Sequence, residues 1–258
     1  MPKSISVHPK LAAAVDAAVS LVFLWALAKA GSWWFVLGWF LARLILWAVI
    51  IRLVYYPKEL NRGRHILSLA VFSLGLTSSF LFMEWQPAWL AAALVFIFFP
   101  AFSIWMLPES AVSLVSFYKP HLRWRFMMSV LGLAGIYIGI WAVISFQIFS
   151  LNSFYWYLIT AVIATAAAGW WWKEYKIEEG KRFWTWLGIW FLLMLEYAWV
   201  VGLLPLGYLA SGLALVWAWY VLWLIARFWM TPEGIHWKKQ SLFLIVNLVL
   251  YILFMKVV

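Results

Sequence analysis

Apolar runs of about 20 residues recur from end to end of this 258-residue chain, and they restrict its fold more than any other feature. A helical run of that length spans a hydrocarbon layer of roughly 30 Å at about 1.5 Å per residue. Inside such a layer every backbone amide must be bonded within the protein, which leaves helices or closed barrels. Barrel strands alternate polar and apolar positions, whereas these runs are apolar on every face. With 67% hydrophobic and only 11% charged residues, the chain falls well short of the roughly one quarter charged residues typical of soluble domains. The sequence therefore predicts an all-α, polytopic transmembrane helix bundle, a single integral membrane domain over residues 1–258.

Nine spans are predicted, at about 10–30, 33–55, 66–84, 87–107, 126–149, 154–172, 183–204, 207–229 and 240–257. The first resembles a signal-peptide core, but Asp16 interrupts it and no small-residue cleavage site follows, so it reads as a retained span. Alternate connections are strongly basic. One set holds Lys3 and Lys10; Lys58, Arg62 and Arg64; Lys119, Arg123 and Arg125; Lys173, Lys176, Lys181 and Arg182; and Arg227, Lys238 and Lys239. The other set holds only Lys29 and Lys256. Retention of Lys and Arg on the cytoplasmic side then predicts a cell-membrane protein with its N-terminus in the cytoplasm and its C-terminus outside. The same rule accounts for the net charge of +10 without a nucleic-acid partner.

Tryptophans mark the expected interfaces. Trp33 and Trp34 begin one span, Trp170, Trp171 and Trp172 end another, and Trp184 and Trp186 begin the next. Interior tryptophans such as Trp141, Trp190, Trp217 and Trp219 are expected to pack helices or meet lipid. The longest connection, 108–125, reads as a short interfacial helix that starts at Pro108-Glu109 and is ended by Lys119-Pro120.

A five-residue string, Trp105-Met106-Leu107-Pro108-Glu109, returns with one change as Trp229-Met230-Thr231-Pro232-Glu233. Setting the first span aside leaves eight, and the strings then fall at the end of the third span of each group of four. Lys58-Glu59 before Gly63-Arg64-His65 is likewise answered by Lys173-Glu174 before Gly180-Lys181-Arg182. This suggests one span plus a four-plus-four parallel duplication, with repeats at 33–149 and 154–258.

Charges within hydrocarbon are costly, about 2.5–3.5 kcal/mol at a helix centre on the insertion scale, so each one present is informative. Arg43 lies about 15 Å from the outer start of its span and Glu196 about 12 Å from the outer end of its own. Opposite charges at similar depth suggest a substrate-binding pair, and the repeat register places Thr160 opposite Arg43 and Ser79 opposite Glu196. Asp16, about 9 Å into its span, is expected to form a structural ion pair with Arg52, which can snorkel to the same surface. His8, His65, His121 and His236 all fall in basic connections and read as solvated, and no metal or cofactor site is expected. Cysteine is absent, which excludes disulfides, thiolate ligands and a thiol nucleophile. Packing cues are Gly135-x-x-x-Gly139 and the small face Thr160, Ala164 and Ala168. Pro100 is expected to kink its helix.

No acid–base or nucleophile constellation is visible, which argues against an enzyme. The favoured expectation is a small transporter or lipid-handling protein for a hydrophobic or amphipathic molecule. The alternative is a non-catalytic subunit or assembly factor with a membrane protein partner. The lipid bilayer is a partner in either case.

Overall fold

The computed structural model describes residues 7–29, 33–54, 61–84, 86–108 and 114–230, with a few helical positions between 241 and 252. Eight helices follow in order: α1 (Pro9–Ala28), α2 (Trp33–Leu53), α3 (Arg62–Phe80), α4 (Gln86–Trp105), α5 (Leu114–Ser145), α6 (Ser153–Glu174), α7 (Lys181–Leu203) and α8 (Tyr208–Met230). All but α3 are long and apolar enough to cross a membrane, giving seven candidate spans among the described residues where the sequence suggests nine. The ninth expected span, 240–257, lies largely outside the described residues.

Helix α3 differs for a physical reason. It begins at Arg62, earlier than expected, because the Asn61 side chain caps it by accepting from the Arg64 amide at 3.2 Å. It therefore carries two arginines, a histidine and five hydroxyl residues. Most of its polar side chains face inward: His65, Ser68, Ser73, Thr77 and Ser79 are buried, while Leu67, Leu74 and the following Leu81 are exposed. That is the reverse of a water-soluble amphipathic helix and suits a lipid-facing surface.

The expected short interfacial helix is not what forms. Helix α5 starts at Leu114 and runs without a break through Pro120 to Ser145. Pro120 removes only the amide that would bond the Ser116 carbonyl, and 32 residues of helix absorb that loss. Helix α4 likewise continues through Pro100. Helices α5 and α6 end in the same way. Gln147 and Lys176 adopt the left-handed conformation (φ 50° and 58°), and the next amide reaches back across the turn, Ile148 to the Val143 oxygen and Ile177 to the Trp172 oxygen.

The chain forms two compact units, Met1–Gly135 and Ile136–Val258, divided within α5. In the first, α1 packs along α4, and Trp47, Leu69, Phe72, Phe96 and Met128 are fully buried. Phe96 stacks on Phe23 at 5.4 Å and on Phe72 at 6.4 Å. Helices α3 and α5 touch backbone to backbone. A Cβ on Gly75 would overlap the Gly132 carbonyl, and one on Gly135 would overlap the Gly75 carbonyl. Gly135 thus serves close packing as the sequence suggests, with Gly75 opposite it on α3 and Gly132 one turn earlier on α5.

In the second unit the small face of α6, with Ala161, Ala164 and Ala168 fully buried, admits tryptophans. The Trp219 indole donates to the Ala164 carbonyl at 2.8 Å. Trp172, Trp190, Trp219 and Trp223 form a chain of rings with centroids 5.6, 6.3 and 6.2 Å apart. Interior Trp190 and Trp219 are therefore packing residues. The run 170–172 departs from the interfacial expectation, since Trp171 and Trp172 are wholly buried. Consecutive helical residues point about 100° apart, so three in a row cannot share one lipid-facing stripe. Trp34 and Trp184 are exposed, as interfacial rings would be.

Candidate functional site

Arg43, on α2, is buried in the first unit and does not meet Arg52's expected partner by accident of depth alone: it takes that partner itself. Its Nη2 lies 3.9 Å from Asp16 Oδ1 on α1, and both side chains are completely buried. Asp16 Oδ1 also accepts from the Trp47 indole at 2.7 Å. Arg43 donates to Ser20 Oγ at 2.6 Å and reaches Ser73 Oγ at 3.4 Å. Phe96 and Trp47 flank the guanidinium, with ring centroids 4.3 and 4.6 Å away. Among the described residues, Asp16 Oδ2 and Arg43 Nε have no hydrogen-bond partner. The expected Asp16–Arg52 pair is thus corrected: Arg52 is exposed at the end of α2, and Asp16 faces the core.

A second polar cluster contradicts the solvated reading of two histidines. His65 on α3 and His121 on α5 are both fully buried, with ring centroids 5.0 Å apart and planes nearly perpendicular. His65 Nε2 lies 3.2 Å from Ser103 Oγ on α4, and Arg125 Nε and Nη2 lie 3.3 and 3.2 Å from Ser68 Oγ. His8 remains exposed and caps α1 by accepting from the Lys10 amide. His236 lies outside the described residues.

The two clusters share a device that sequence reasoning missed. Ser20, Ser68 and Ser103 each donate their hydroxyl to a carbonyl of their own helix: Asp16, Arg64 and Pro100, at 2.7, 2.9 and 2.7 Å. With its proton committed, each oxygen is left as an acceptor for a group from another helix: Arg43, Arg125 or His65. The only sequence signal was a serine one turn after a helical carbonyl, which is too common to single out.

The remaining expected substrate-binding residues lie each within its own unit. Glu196 is exposed on α7, in the second unit. Ser79 and Thr160 are buried, but their hydroxyls bond the Leu76 and Trp156 carbonyls of their own helices at 2.9 Å each. No group of three or more potential metal-ligating side chains occurs among the described residues.

The first unit also holds an apolar groove of about 520 Å³, lined by Lys10, Ala13 and Ala14 of α1, Phe98, Phe99, Ala101, Phe102 and Trp105 of α4, and Trp124 of α5. Alanines on α1 opposite large rings on α4 leave the space. The wall is fixed: the Trp124 indole donates to the Phe99 carbonyl at 3.0 Å, and its ring lies 4.4 Å from Phe99 and 4.7 Å from Phe102. A more polar hollow of about 550 Å³ sits at the α5–α6 turn, around Gln147, Ser150, Asn152 and Ser153.

Fold and composition define the class: a multi-pass α-helical membrane protein. Compared with known proteins, the chain matches no family model, no curated protein and no solved structure.

Proposed function

We propose that this protein is a lipid-handling membrane protein that takes a hydrophobic or amphipathic molecule laterally from the bilayer into the groove between α1, α4 and α5. The groove carries the reading. Its volume of about 520 Å³ lies within the roughly 300–1,000 Å³ of small-molecule sites. Apart from Lys10 its lining is aromatic and apolar, and the Trp124–Phe99 bond holds the wall in place before any ligand arrives. The Asp16–Arg43 cluster suits a structural role, because its groups are engaged with one another and flanked by rings. The alternation of basic connections supports a cytoplasmic N-terminus, which would open the groove toward the inner leaflet.

Photolabelling tests this. The purified protein is reconstituted in vesicles containing a phospholipid with a diazirine on its acyl chain, irradiated and mapped by peptide mass spectrometry. Label concentrated on Lys10–Ala14, Phe98–Trp105 and Trp124 is expected. Label spread evenly over all exposed apolar helix faces would overturn the reading. So would a stoichiometric membrane protein that co-purifies and shields those residues, which would favour the subunit alternative.

A further inference from the structure

We infer that the groove selects a phospholipid with an anionic headgroup, held by Lys10 while one acyl chain lies along α4. This deepens the lipid-handling proposal and rests on it. Among the described residues lining the groove, Lys10 is the one that is charged. It is exposed at the start of α1 and lines the groove together with Trp105 at the end of α4, so the lysine and the tryptophan share one end of the groove. Tryptophan favours the headgroup level of a bilayer, which places the ammonium where a phosphate lies and the phenylalanines beneath it.

Three further observations favour an anion at that end. Among the described residues no carboxylate pairs with Lys10. Asp16, the acid nearest to it in sequence, is turned into the core onto Arg43. Pro9 and Lys10 form the first turn of a 20-residue helix, whose N-terminal dipole adds to the positive potential.

The apolar part also has a defined extent. From Phe98 to Trp105 the wall runs about 10 Å at 1.5 Å per residue, enough for the headgroup-proximal half of one chain. The ligand is therefore gripped at its polar end and first methylenes, while the chain terminus stays in the bilayer. A free soluble anion would leave the aromatic wall without a role, and a neutral hydrocarbon would leave the lysine without one.

The test compares phosphatidylglycerol and phosphatidylcholine probes, with matched diazirine chains, mixed at equal concentration in vesicles holding the full-length protein. Site-specific label in the groove is expected to favour phosphatidylglycerol about fivefold, the weight of one lysine at a lipid surface. Lys10→Gln should remove that preference, and Lys10→Arg should restore it. Equal labelling of the groove by both probes would overturn the headgroup assignment and leave the acyl-chain site standing. A preference that survives Lys10→Gln would overturn it too, by assigning the anion to another residue. Absence of groove labelling by either probe would overturn the lipid-handling proposal itself.

Discussion

Arg43 and Asp16 face each other across α1 and α2 at 3.9 Å, with neither side chain reaching the surface. Removing one member leaves the other buried without its counter-charge, a change that typically costs about 3–5 kcal/mol. Asp16→Ala and Arg43→Ala should each lower the thermal midpoint sharply in nanodiscs. The double replacement Asp16→Leu with Arg43→Met should be milder than either, because it removes both desolvated charges together. A double variant as unstable as the worse single would show that the pair is not the source of the loss.

The bonded serines make a separate prediction. Ser68→Ala takes away the oxygen that accepts two Arg125 donors, and Ser20→Ala takes away the oxygen that accepts from Arg43. Each loss should cost about 1–3 kcal/mol, the penalty of removing a buried acceptor from a charged donor, read as a shift in unfolding midpoint. Ser78→Ala, on a half-buried position of the same helix α3, should change it little.

Glycine packing gives a sharper contrast. Gly75→Ala places a methyl group into the Gly132 backbone, so α3 and α5 must separate, and the folded yield should fall steeply. Gly38→Ala on α2 meets nothing within 4 Å. There the substitution should be neutral or stabilise by up to about 1 kcal/mol through helix propensity. Fluorescence size-exclusion profiles of the two variants provide the comparison.

Two helix ends hold non-glycine residues in the left-handed conformation, which costs about 1–2 kcal/mol without compensation. Lys176→Gly and Gln147→Gly should therefore leave stability unchanged or raise it by about 1 kcal/mol. A loss at Lys176 would show that its side chain does more than end α6.

Much of the helix pattern was legible because apolar runs of spanning length have few other solutions. What escaped were partners. Arg43 was legible as a buried charge, but its partner was sought in Glu196, and Asp16 was assigned to Arg52. Depths counted along the spans put Asp16 and Arg43 about 6 Å apart on a rise of 1.5 Å per residue. An arginine side chain covers that gap, whereas the count treats each charge as sitting at its Cα. The His65–His121 contact joins residues far apart in sequence with no ligand spacing to announce it. Gly135 could be flagged from its own helix, but Gly75 could not, since close approach depends on which helix faces it. The groove depends on two faces at once: alanines of α1 are unremarkable until aromatic residues of α4 lie opposite them. The Trp-Met-x-Pro-Glu strings close α4 and α8 with comparably exposed tryptophans, Trp105 at 53% and Trp229 at 54%. Such exposure is what interfacial tryptophans show.

Ala14→Trp tests most directly whether the α1–α4–α5 groove holds lipid. Ala14 lines the groove from an exposed position, so an indole there fills the space without entering the core. Photolabelling of this variant with the diazirine phospholipid should show label lost from Phe98–Trp105 and Trp124 and unchanged on other helices, with the unfolding midpoint preserved. Undiminished label at Phe98–Trp105 in a folded Ala14→Trp protein would contradict lipid binding there.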